Sequence, residues 1–555
     1  MPIQISNPLI IQSDRSILLE VHNPLFEEAR DALSRFADLV KSPEHIHTYK
    51  ITPLSLWNAA SAGMKKNEIF RYLDSYSKYP IPQNIMVDIE EILARYGKLV
   101  LFPADKKSLL RLEVSDPYLQ QELSYSTKLQ DFWVEKLKAG GFLISIKDRG
   151  NLKQALIKIG YPVDDRVGYI EGDALEIKLR SATCDGTSFS LRDYQQEAIA
   201  TYYRQGSVKG GHGVIVLPCG SGKTVIGMGV MEKISAYTLI ISTNTVAVHQ
   251  WIDELLDKTS LTAGLIGEYT GNAKQIRPVT ITTYQILTYR KSKEGEFLHM
   301  GLFQKNNWGL IIYDEVHTLP APVFRATAEI QAKRRLGLTA TLVREDGLEG
   351  DVFSLVGPKK YDVPWKELEE RGFIAEAYCH EIRLELPHED KLAYALADER
   401  QKFRIASENK KKIRVSEELI TNHLHDQTLI IGQYISQLEE LQKHLNIPMI
   451  TGKTKNKERE ILYQDFRQGK LKQLIVSKVA NFAVDLPDAN VAIQVSGTFG
   501  SRQEEAQRLG RILRPKHHPS YFYTLVSRDT KEQDFALKRQ MFLAEQGYKY
   551  KIENW

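Results

Sequence analysis

Two series of short, continuous apolar runs constrain the fold of this 555-residue chain most strongly. The first series comprises GVIVLP, TLIIST, VTITTY, GLIIYDE and RRLGLTAT, and the second comprises QTLIIGQ, IPMITG, QLIVSK, VAIQVSG and YFYTLVS. Continuous rather than alternating apolar residues are typical of strands that are buried on both faces of a parallel sheet. Because helical segments such as VAVHQWIDELLDK separate these runs, the pattern predicts two tandem α/β domains with parallel sheets.

These two domains follow a region of different character. We predict an N-terminal α+β region over residues 1–185, a first α/β domain over 186–370 and a second over 371–555, with a polar helical segment near 385–415. In the N-terminal region, SILLEVHN alternates as a strand does. The stretch PLFEEARDALSRFADLVKS, residues 24–42, predicts one helix, because Pro and acidic residues stand at its start and Lys stands at its end.

Composition sets few further limits. The net charge is only +4, from 74 basic and 70 acidic residues, so any surface that binds nucleic acid must be local. The three cysteines, Cys184, Cys219 and Cys379, lie far apart, which argues against a disulfide framework or a metal site. No apolar run approaches the ~18–20 residues of a membrane span. We therefore expect a cytoplasmic protein without a membrane segment.

The stretch LPCGSGKT, residues 217–224, lies between an apolar run and a helical segment and predicts a phosphate loop. Glycines let the backbone approach a phosphate, and the helix start offers free N–H groups. Leu217 stands where the longer phosphate-loop pattern has Gly, so the loop fits a shorter PxGSGKT form. The alternative is a chance glycine-rich turn. The predicted binding residues are Pro218, Cys219, Gly220, Ser221, Gly222, Lys223 for the β- and γ-phosphates, and Thr224 for Mg²⁺.

Two adjacent acidic residues end the run LIIYDE. An acid at the carboxyl end of a parallel strand faces the ligand crevice of the sheet. Asp314 can therefore hold Mg²⁺, and Glu315 can orient and deprotonate an attacking water. The alternative is an ordinary surface pair after a strand, which the phosphate loop 90 residues upstream (314 − 224) makes less attractive.

A third motif, QRLGRILRP, lies in the second α/β domain. Arg508, Arg511 and Arg514 are spaced by three and can share one helical face. Such a face is usually only solvated. The competing hypothesis is that Arg511 and Arg514 are arginine fingers, because phosphoryl transfer needs extra positive charge near the γ-phosphate.

The ordered set LRDYQ, LPCGSGKT, DEVH, LTATLVRED and QRLGRILR resembles a superfamily 2 helicase. DEVH, the RED triplet and DLPDANVAIQVSG are similar to the XPB family of DNA-repair and transcription helicases, and HIHTYKITPLSLWNAASAGM resembles that family's damage-recognition-type region. The resemblance covers nearly the whole chain. It implies an ATP- and Mg²⁺-dependent DNA helicase that moves 3′→5′, with nucleotide held between two RecA-like domains.

The resemblance also assigns roles by position. Gln195 matches the adenine-reading residue, with Arg192 beside it, and Gln507 matches the residue that faces the γ-phosphate together with Arg511 and Arg514. The stretch SKVANFAVD, residues 477–485, matches a motif that senses nucleotide and strand, although many relatives have a Gly where this chain has Phe482 or Ala483. The RED triplet, which the family places at strand separation, is Arg344, Glu345 and Asp346.

Contacts with nucleic acid are less readable in the sequence. Thr243 and Thr283 follow strands and can position phosphates without reading bases. Lys410, Lys411 and Lys412 lie in a basic helical stretch where the resemblance places a thumb-like element; a merely solvated helix face is the alternative. The aromatic residues Phe70, Tyr72, Tyr76 and Tyr79 predict the core of a small module rather than a stacking platform.

We expect single-stranded, forked or damaged duplex DNA as the partner, and a monomeric prokaryotic, nucleoid-associated protein that works alone or with a repair partner such as a nuclease. Three rival interpretations remain open: a duplex-DNA translocase that hydrolyses ATP without separating strands, a binding scaffold with an inactive nucleotide site, and an RNA helicase.

Overall fold

The chain forms two compact units. Residues 1–38, 49–217 and 222–362 make up the first unit, and 39–48, 218–221 and 363–555 make up the second. The computed structural model describes residues 4–42, 45–106, 108–138, 140–218, 220–292, 295–320, 322–323, 326–327, 330, 333–341, 349–477, 489–497, 502–510, 512–513 and 518–555, apart from the side chains of Asn456, Arg502, Gln503, Glu504, Gln507 and Phe542.

The N-terminal region begins with a four-stranded sheet of order β1-β2-β4-β3. Its elements are β1 Leu9–Ile11, β2 Ser16–Glu20, α1 Phe26–Leu33, β3 Asp38–Lys41, β4 Ile46–Lys50, α2 Pro53–Ala62, α3 Lys66–Tyr76 and α4 Gln83–Arg95. The prediction of one helix over 24–42 is wrong in its second half. Strand pairing of β3 with β4 satisfies the backbone there, which the helix-like charge pattern did not reveal.

The predicted aromatic core of α3 is also wrong. Ile69 and Leu73 are the buried side chains of this helix. Phe70, Tyr72 and Tyr76 are half-buried, with Nη1 of Arg35 donating to the hydroxyl of Tyr72 at 2.6 Å, and Tyr79 is exposed. The i, i+4 pair of aliphatic residues therefore fills the core, while the tyrosine hydroxyls stay in reach of water and charged partners.

A five-stranded sheet of order β7-β8-β6-β5-β9 follows. Its elements are β5 Leu99–Pro103, β6 Leu109–Val114, α5 Pro117–Tyr125, β7 Trp133–Lys136, β8 Phe142–Ser145, α6 Arg149–Lys158 and β9 Val163–Asp165. Helix α6 is tied to β9 by charge. Arg149 and Lys153 both donate to the buried carboxylate of Asp165, at 2.8–3.0 Å. Burial alone would raise the pKa of Asp165, but these two cations outweigh it and hold the pKa far below its usual range.

The first α/β domain contains a seven-stranded sheet of order β12-β13-β11-β14-β15-β10-β16 in which neighbouring strands run parallel. Its elements are α7 Asp193–Tyr203, β10 His212–Val216, α8 Lys223–Ile234, β11 Thr238–Ser242, α9 Thr245–Lys258, β12 Ile266–Tyr269, β13 Val279–Thr283, α10 Tyr284–Leu287, α11 Leu302–Lys305, β14 Leu310–Asp314, β15 Arg334–Thr339, α12 Glu349–Leu355 and β16 Lys359–Asp362. Helix α2 packs on the edge strand β16, where the N–H of Lys359 donates to Oδ1 of Asn58 at 3.0 Å.

The second α/β domain has its own seven-stranded parallel sheet, of order β19-β20-β18-β21-β22-β17-β23. Its elements are α13 Trp365–Glu370, β17 Ala377–Leu384, α14 His388–Leu396, α15 Glu399–Ser407, α16 Lys411–Asn422, β18 Thr428–Gly432, α17 Ile435–Leu445, β19 Met449–Ile450, α18 Asn456–Arg467, β20 Gln473–Ser477, β21 Val491–Gln494, α19 Arg502–Gly510, β22 Ser520–Ser527, α20 Lys531–Glu545 and β23 Tyr550–Asn554.

The two sheets have the same topology. Numbered by appearance within each domain, the strands of both lie in the order third, fourth, second, fifth, sixth, first, seventh. The predicted fold class, two tandem parallel-sheet domains after an α+β region, is therefore confirmed. The residue ranges assigned to the three parts remain predictions. No helix in the described part of the chain has the length and hydropathy of a membrane-spanning segment.

Candidate nucleotide site and nucleic-acid contacts

The predicted phosphate loop joins β10 to α8. Gly220 and Gly222 have φ angles of 81° and 82°, in the left-handed region that favours glycine. The hydroxyl of the buried Ser221 donates to the carbonyl oxygen of Pro218 at 2.7 Å. Lys223 and Thr224 open α8, and neither side chain is fully buried. The loop therefore turns sharply and presents the positive end of a helix, with Lys223 and Thr224 at its start.

Lys223 lies next to the acidic end of a strand. Its Nζ is 3.9 Å from Oε1 of Glu315 and donates to the carbonyl oxygen of Leu217 at 3.3 Å. Strand β15 separates β10 from β14 in the sheet, and the side chains reach across it at the carboxyl edge. The structure thus brings together the lysine and the carboxylate that the sequence separates by 92 positions (315 − 223).

Asp314, the last residue of β14, is held by two donors. The hydroxyl of Ser242 and the indole N–H of Trp251 donate to its Oδ2 at 2.9 and 3.0 Å. Burial and the negative charge of Glu315 raise the pKa of Asp314, while these two hydrogen bonds oppose the rise. A desolvated carboxylate beside a second one attracts a cation, which is what a metal ligand requires.

Glu315 has a φ of 50°, which is uncommon for a residue other than glycine. Its Oε2 lies 3.4 Å from the hydroxyl of Thr339 and 3.4 Å from Nδ1 of His317. The carboxylate is therefore fixed by neighbours while the backbone is held in a sparsely populated conformation. Such strain persists where the surroundings impose it, and it is concentrated at functional sites.

Thr339 connects this carboxylate to the end of β15. Its hydroxyl lies 2.7 Å from Nδ1 of His317 and 2.6 Å from the carbonyl oxygen of Thr341. The hydroxyl has one hydrogen and donates to one neighbour at a time, while Nδ1 of His317 donates or accepts according to its tautomer. Thr339 and Thr341 of the LTAT stretch thus belong to the hydrogen-bond network that holds Glu315.

Gln195 and Arg192 lie beside the phosphate loop. Oε1 of the buried Gln195 accepts from the backbone N–H of Arg192 at 3.0 Å. A Cβ added at Gly222 would lie 2.6 Å from Nε2 of Gln195. The start of α7 is therefore packed against the last glycine of the loop, so these predicted binding residues are brought together.

Sequence reasoning missed three residues of this site. Ser242 and Trp251 fix Asp314, and His317 contacts Glu315 and Thr339. His317 belongs to the DEVH motif, so its place in the site could have been predicted from the sequence. Ser242 ends a strand adjacent to β14, but nothing in the sequence gives the pairing of β11 with β14 or the orientation of Trp251.

The predicted DNA-contacting threonines follow neighbouring strands. Ser242 pairs with Thr283 in the register of β11 and β13, so Thr243 and Thr283 leave the same edge of the sheet. Thr243 is half-buried, and its hydroxyl accepts from Nδ2 of Asn244 at 3.2 Å. Thr283 is buried, and its hydroxyl accepts from the N–H of Ile286 at the start of α10.

The basic run around α16 is not uniform. Lys410 is exposed and Lys411 is half-buried. Lys412 is fully buried and donates to both carboxylate oxygens of Glu532, at 2.7 and 2.8 Å, and to the carbonyl of Val495. The prediction that Lys412 contacts DNA is therefore wrong, because its ammonium group is bonded inside the second domain.

The arginine motif is only partly described. Helix α19 ends at Gly510, and Arg508 within it is buried and donates to Oε1 of Gln494, so a solvated role for Arg508 is wrong. The remaining predicted site residues lie outside the described residues: Cys219, Arg344, Glu345, Asp346, Arg511, Arg514, the side chain of Gln507, and residues 478–485 with Phe482 and Ala483.

Three family models match parts of this chain. The ERCC3/RAD25/XPB C-terminal helicase model matches residues 368–554. The model of the type III restriction enzyme, res subunit, matches residues 188–344, and a helicase conserved C-terminal domain model matches residues 9–138. Together they cover parts of the N-terminal region and of both α/β domains.

Curated relatives match nearly the whole chain. The DNA 3′-5′ helicase XPB of Kineococcus radiotolerans is 52% identical, over 98% of this chain and 96% of its own length. The protein of the same name from Mycobacterium tuberculosis is 50% identical, over 99% and 98%. The Saccharomyces cerevisiae general transcription and DNA repair factor IIH helicase/translocase subunit XPB/SSL2 is 32% identical, over 99% of this chain and 72% of its own length.

Among solved structures, the Pyrococcus furiosus Hef helicase domain is similar with a TM-score of 0.43 and 14% identity, over 62% of this chain and 97% of that domain. Identity of 50% or more along the whole length, together with the matching C-terminal model, shows the family. This chain belongs to the XPB family of helicases.

Proposed function

We propose that this protein is an ATP-dependent DNA helicase that moves 3′→5′. The names of its full-length relatives supply the polarity and the substrate. One observation supports the ATPase assignment most directly. Nζ of Lys223 lies 3.9 Å from Oε1 of Glu315, next to the buried carboxylate of Asp314, at the carboxyl edge of a parallel sheet.

Each residue of this edge has a proposed task. Lys223 binds the β- and γ-phosphates, and the backbone of residues 218–224 holds the phosphate chain against the start of α8. Glu315 accepts the proton of the attacking water, and its contact with Thr339 keeps the carboxylate in place. Gln195 and Arg192 bind the base. In the second domain, Gln507, Arg511 and Arg514 neutralise charge on the departing phosphate.

Mg²⁺ is the metal that this donor set fits. When bound with ATP, it neutralises phosphate charge. Asp314 and the hydroxyl of Thr224 would hold it. The described residues contain no group of three or more His, Cys, Asp or Glu side chains that could hold a metal. A site with one carboxylate and one hydroxyl suits Mg²⁺, which takes its other ligands from substrate phosphates and water.

DNA is proposed to contact the first domain at Thr243 and Thr283 and the second at Lys410 and Lys411. Arg344, Glu345 and Asp346 are proposed to act where the strands separate, and the region 1–185 to engage forked or damaged duplex. The relatives named as subunits of a transcription and repair factor support a partner in repair or transcription.

The decisive experiment measures ATP hydrolysis with single-stranded DNA, duplex, forked DNA and RNA, together with displacement of a strand from 3′- and 5′-tailed duplexes. We expect stimulation by DNA over RNA and displacement only from the 3′-tailed duplex. Glu315→Gln should lower kcat about 10²–10⁴-fold while retaining nucleotide binding. Full hydrolysis by Glu315→Gln would refute its role as the base.

A second candidate is a duplex-DNA translocase that hydrolyses ATP without separating strands. The eukaryotic relatives are named as helicase/translocase subunits, which favours retaining this alternative. Stimulation by plain duplex, displacement of a triplex-forming third strand and no unwinding of tailed duplexes would select this alternative.

A further inference from the structure

An aromatic patch lies at the edge of the first α/β domain from which Thr243 and Thr283 emerge. Strands β12 and β13 are neighbours, and Tyr269, the last residue of β12, pairs with Thr282. The loop after α10 returns Tyr289 and His299 to this edge. We call Tyr269, Tyr289 and His299 the edge patch.

The three rings of the edge patch form one contact chain. The ring centroids of Tyr269 and His299 are 5.6 Å apart at an interplanar angle of 76°, and those of Tyr289 and His299 are 6.2 Å apart at 34°. The hydroxyl of Tyr269 and Nδ1 of His299 lie 2.9 Å apart. His299 is thus fixed on one side and supports Tyr289 on the other.

Tyr289 leaves half of its surface in water. It is 50% exposed, although an aromatic ring gains free energy when it is buried. A ring that is braced on one side and open on the other can accept a planar group with little further loss of side-chain freedom. Base stacking on aromatic side chains has this requirement and tolerates any base.

The margin of the patch is positive. Nζ of Lys274 lies 4.9 Å from the ring centroid of Tyr269. Arg290 and Lys291 are exposed next to Tyr289. Of the nearby acids, Glu268 is engaged by His249 at 3.2 Å and by Thr270 at 2.5 Å, while Glu296 is exposed. Nζ of Lys274 also donates to the carbonyl oxygen of Thr270. In the described part of the chain, Lys274, Arg290 and Lys291 are thus three exposed basic residues at or next to the rings, which suits a phosphate backbone.

The patch is also joined to the nucleotide site. Helix α10 lies between Thr283 and Tyr289, and the hydroxyl of its buried Tyr284 donates to the backbone carbonyl oxygen of Asp314 at 3.0 Å. One hydrogen bond therefore connects α10, which precedes the loop that carries Tyr289, to the strand end that carries the acidic pair.

We propose that the edge patch binds single-stranded DNA, with one base stacked on Tyr289 and adjacent phosphates held by Lys274 and Arg290. This inference rests on the proposed function and adds to it Lys274, Tyr289 and Arg290, which lie in none of the predicted motifs. Tyr289 contacts the DNA strand along which the protein moves. Tyr284 links the patch, when DNA occupies it, to the backbone of Asp314.

The test compares binding of a labelled single-stranded oligonucleotide to the full-length protein, by fluorescence anisotropy, for Tyr289→Ala, Tyr289→Phe and Tyr378→Ala. Tyr378 is 46% exposed near the start of β17 in the second domain and, like Tyr289, contacts one neighbouring ring, so it is a matched control. We expect Tyr289→Ala to weaken binding about 5- to 100-fold, and the other two variants to bind like wild type. Equal binding by Tyr289→Ala and wild type would overturn the proposal.

A series of oligonucleotides, each with one abasic site at a different position, separates loss of stacking from a general loss of fold. For wild type, removing the base at one position should weaken binding of the oligonucleotide. For Tyr289→Ala, the same abasic site should weaken binding no further. Additive losses would overturn stacking on Tyr289. Lys274→Gln should reduce the slope of log K against log salt by about 0.7, the value for one phosphate contact with a single strand.

Hydrolysis distinguishes this proposal from the function on which it rests. ATPase activity without DNA should be unchanged in Tyr289→Ala, and stimulation by single-stranded DNA should require a higher DNA concentration. If wild-type hydrolysis does not respond to DNA, the proposed function fails; if wild type responds and Tyr289→Ala responds identically, only the edge patch fails.

Discussion

Two lysine–glutamate pairs, one in each α/β domain, show opposite uses of the same chemistry. Lys412 and Glu532 in the second domain are fully buried, with Nζ 2.7 and 2.8 Å from the two carboxylate oxygens. Lys223 and Glu315 in the first domain keep side-chain exposures of 11% and 19%, and their charged atoms are 3.9 Å apart. The Lys412–Glu532 pair is completed by further hydrogen bonds, including one from Nζ of Lys412 to the carbonyl oxygen of Val495.

This difference distinguishes an ion pair that stabilises the fold, Lys412–Glu532, from a pair that is available to a ligand, Lys223–Glu315. Burying an ion pair costs free energy that only short, complete hydrogen bonding repays, and Lys412 and Glu532 have such bonding. Lys223 and Glu315 are close enough to restrain one another but too far apart to satisfy one another. Both side chains are also partly exposed, so each can bind a ligand group in place of the other.

The largest effect is expected from breaking the closed pair. Lys412→Met leaves Glu532 as a buried carboxylate without its cation and should lower the free energy of unfolding of the second domain by about 3–5 kcal/mol. Urea denaturation measures it. Lys410→Gln, a neighbouring exposed lysine, is the control and should change the free energy by less than about 0.5 kcal/mol. A Lys412→Met protein as stable as wild type would contradict the structural role.

Breaking the Lys223–Glu315 pair should have the opposite result: a large loss of activity and a small loss of stability. Lys223→Ala should lower kcat/KM for ATP about 10²–10³-fold, because a positive charge at the phosphates is lost. Its unfolding free energy should change by less than about 1 kcal/mol, since a long, partly solvated ion pair contributes little. DNA-stimulated hydrolysis by Lys223→Ala at the wild-type rate would show that the phosphate loop does not drive hydrolysis.

A third, smaller effect sharpens the comparison within the first domain. Ser242→Ala removes a donor to Asp314, and because that donor stabilises the ionised carboxylate, the pKa of Asp314 should rise further. Since Mg²⁺ requires the ionised form, the acid limb of the ATPase pH profile should move to higher pH, with hydrolysis at pH 6 reduced about 3- to 10-fold. Ser242→Thr, which keeps a hydroxyl donor, is the control, and a pH profile of Ser242→Ala that matches wild type would rule out this role.

The smallest effect concerns the surface lysines that remain after Lys412 is assigned to the core. Lys410→Gln should leave hydrolysis without DNA unchanged and reduce the salt slope of single-strand binding by about 0.7. The measurement is anisotropy at several salt concentrations. A slope equal to that of wild type would place Lys410 outside the DNA contact.

The candidate site was predictable where one local segment contains the whole signal. The phosphate loop has its glycines, lysine and threonine within a few residues, and the acid pair ends an apolar run. The contacts of Asp314 with Ser242 and Trp251 were not predictable, because they depend on which strands are neighbours and on how α9 packs. Likewise, the sequence shows Lys412 only as one of a run of lysines, and its burial depends on how its helix packs on the sheet.

The sequence by itself determined the strands that are buried on both faces, the repeated strand–helix order and the phosphate loop, because hydrophobic periodicity and backbone freedom are local properties. Only the tertiary structure decided that residues 38–41 form a strand rather than the end of a helix, and that one lysine is closed in an ion pair while another stays open. These outcomes depend on desolvation and on partners distant in sequence, which no stretch of residues contains alone.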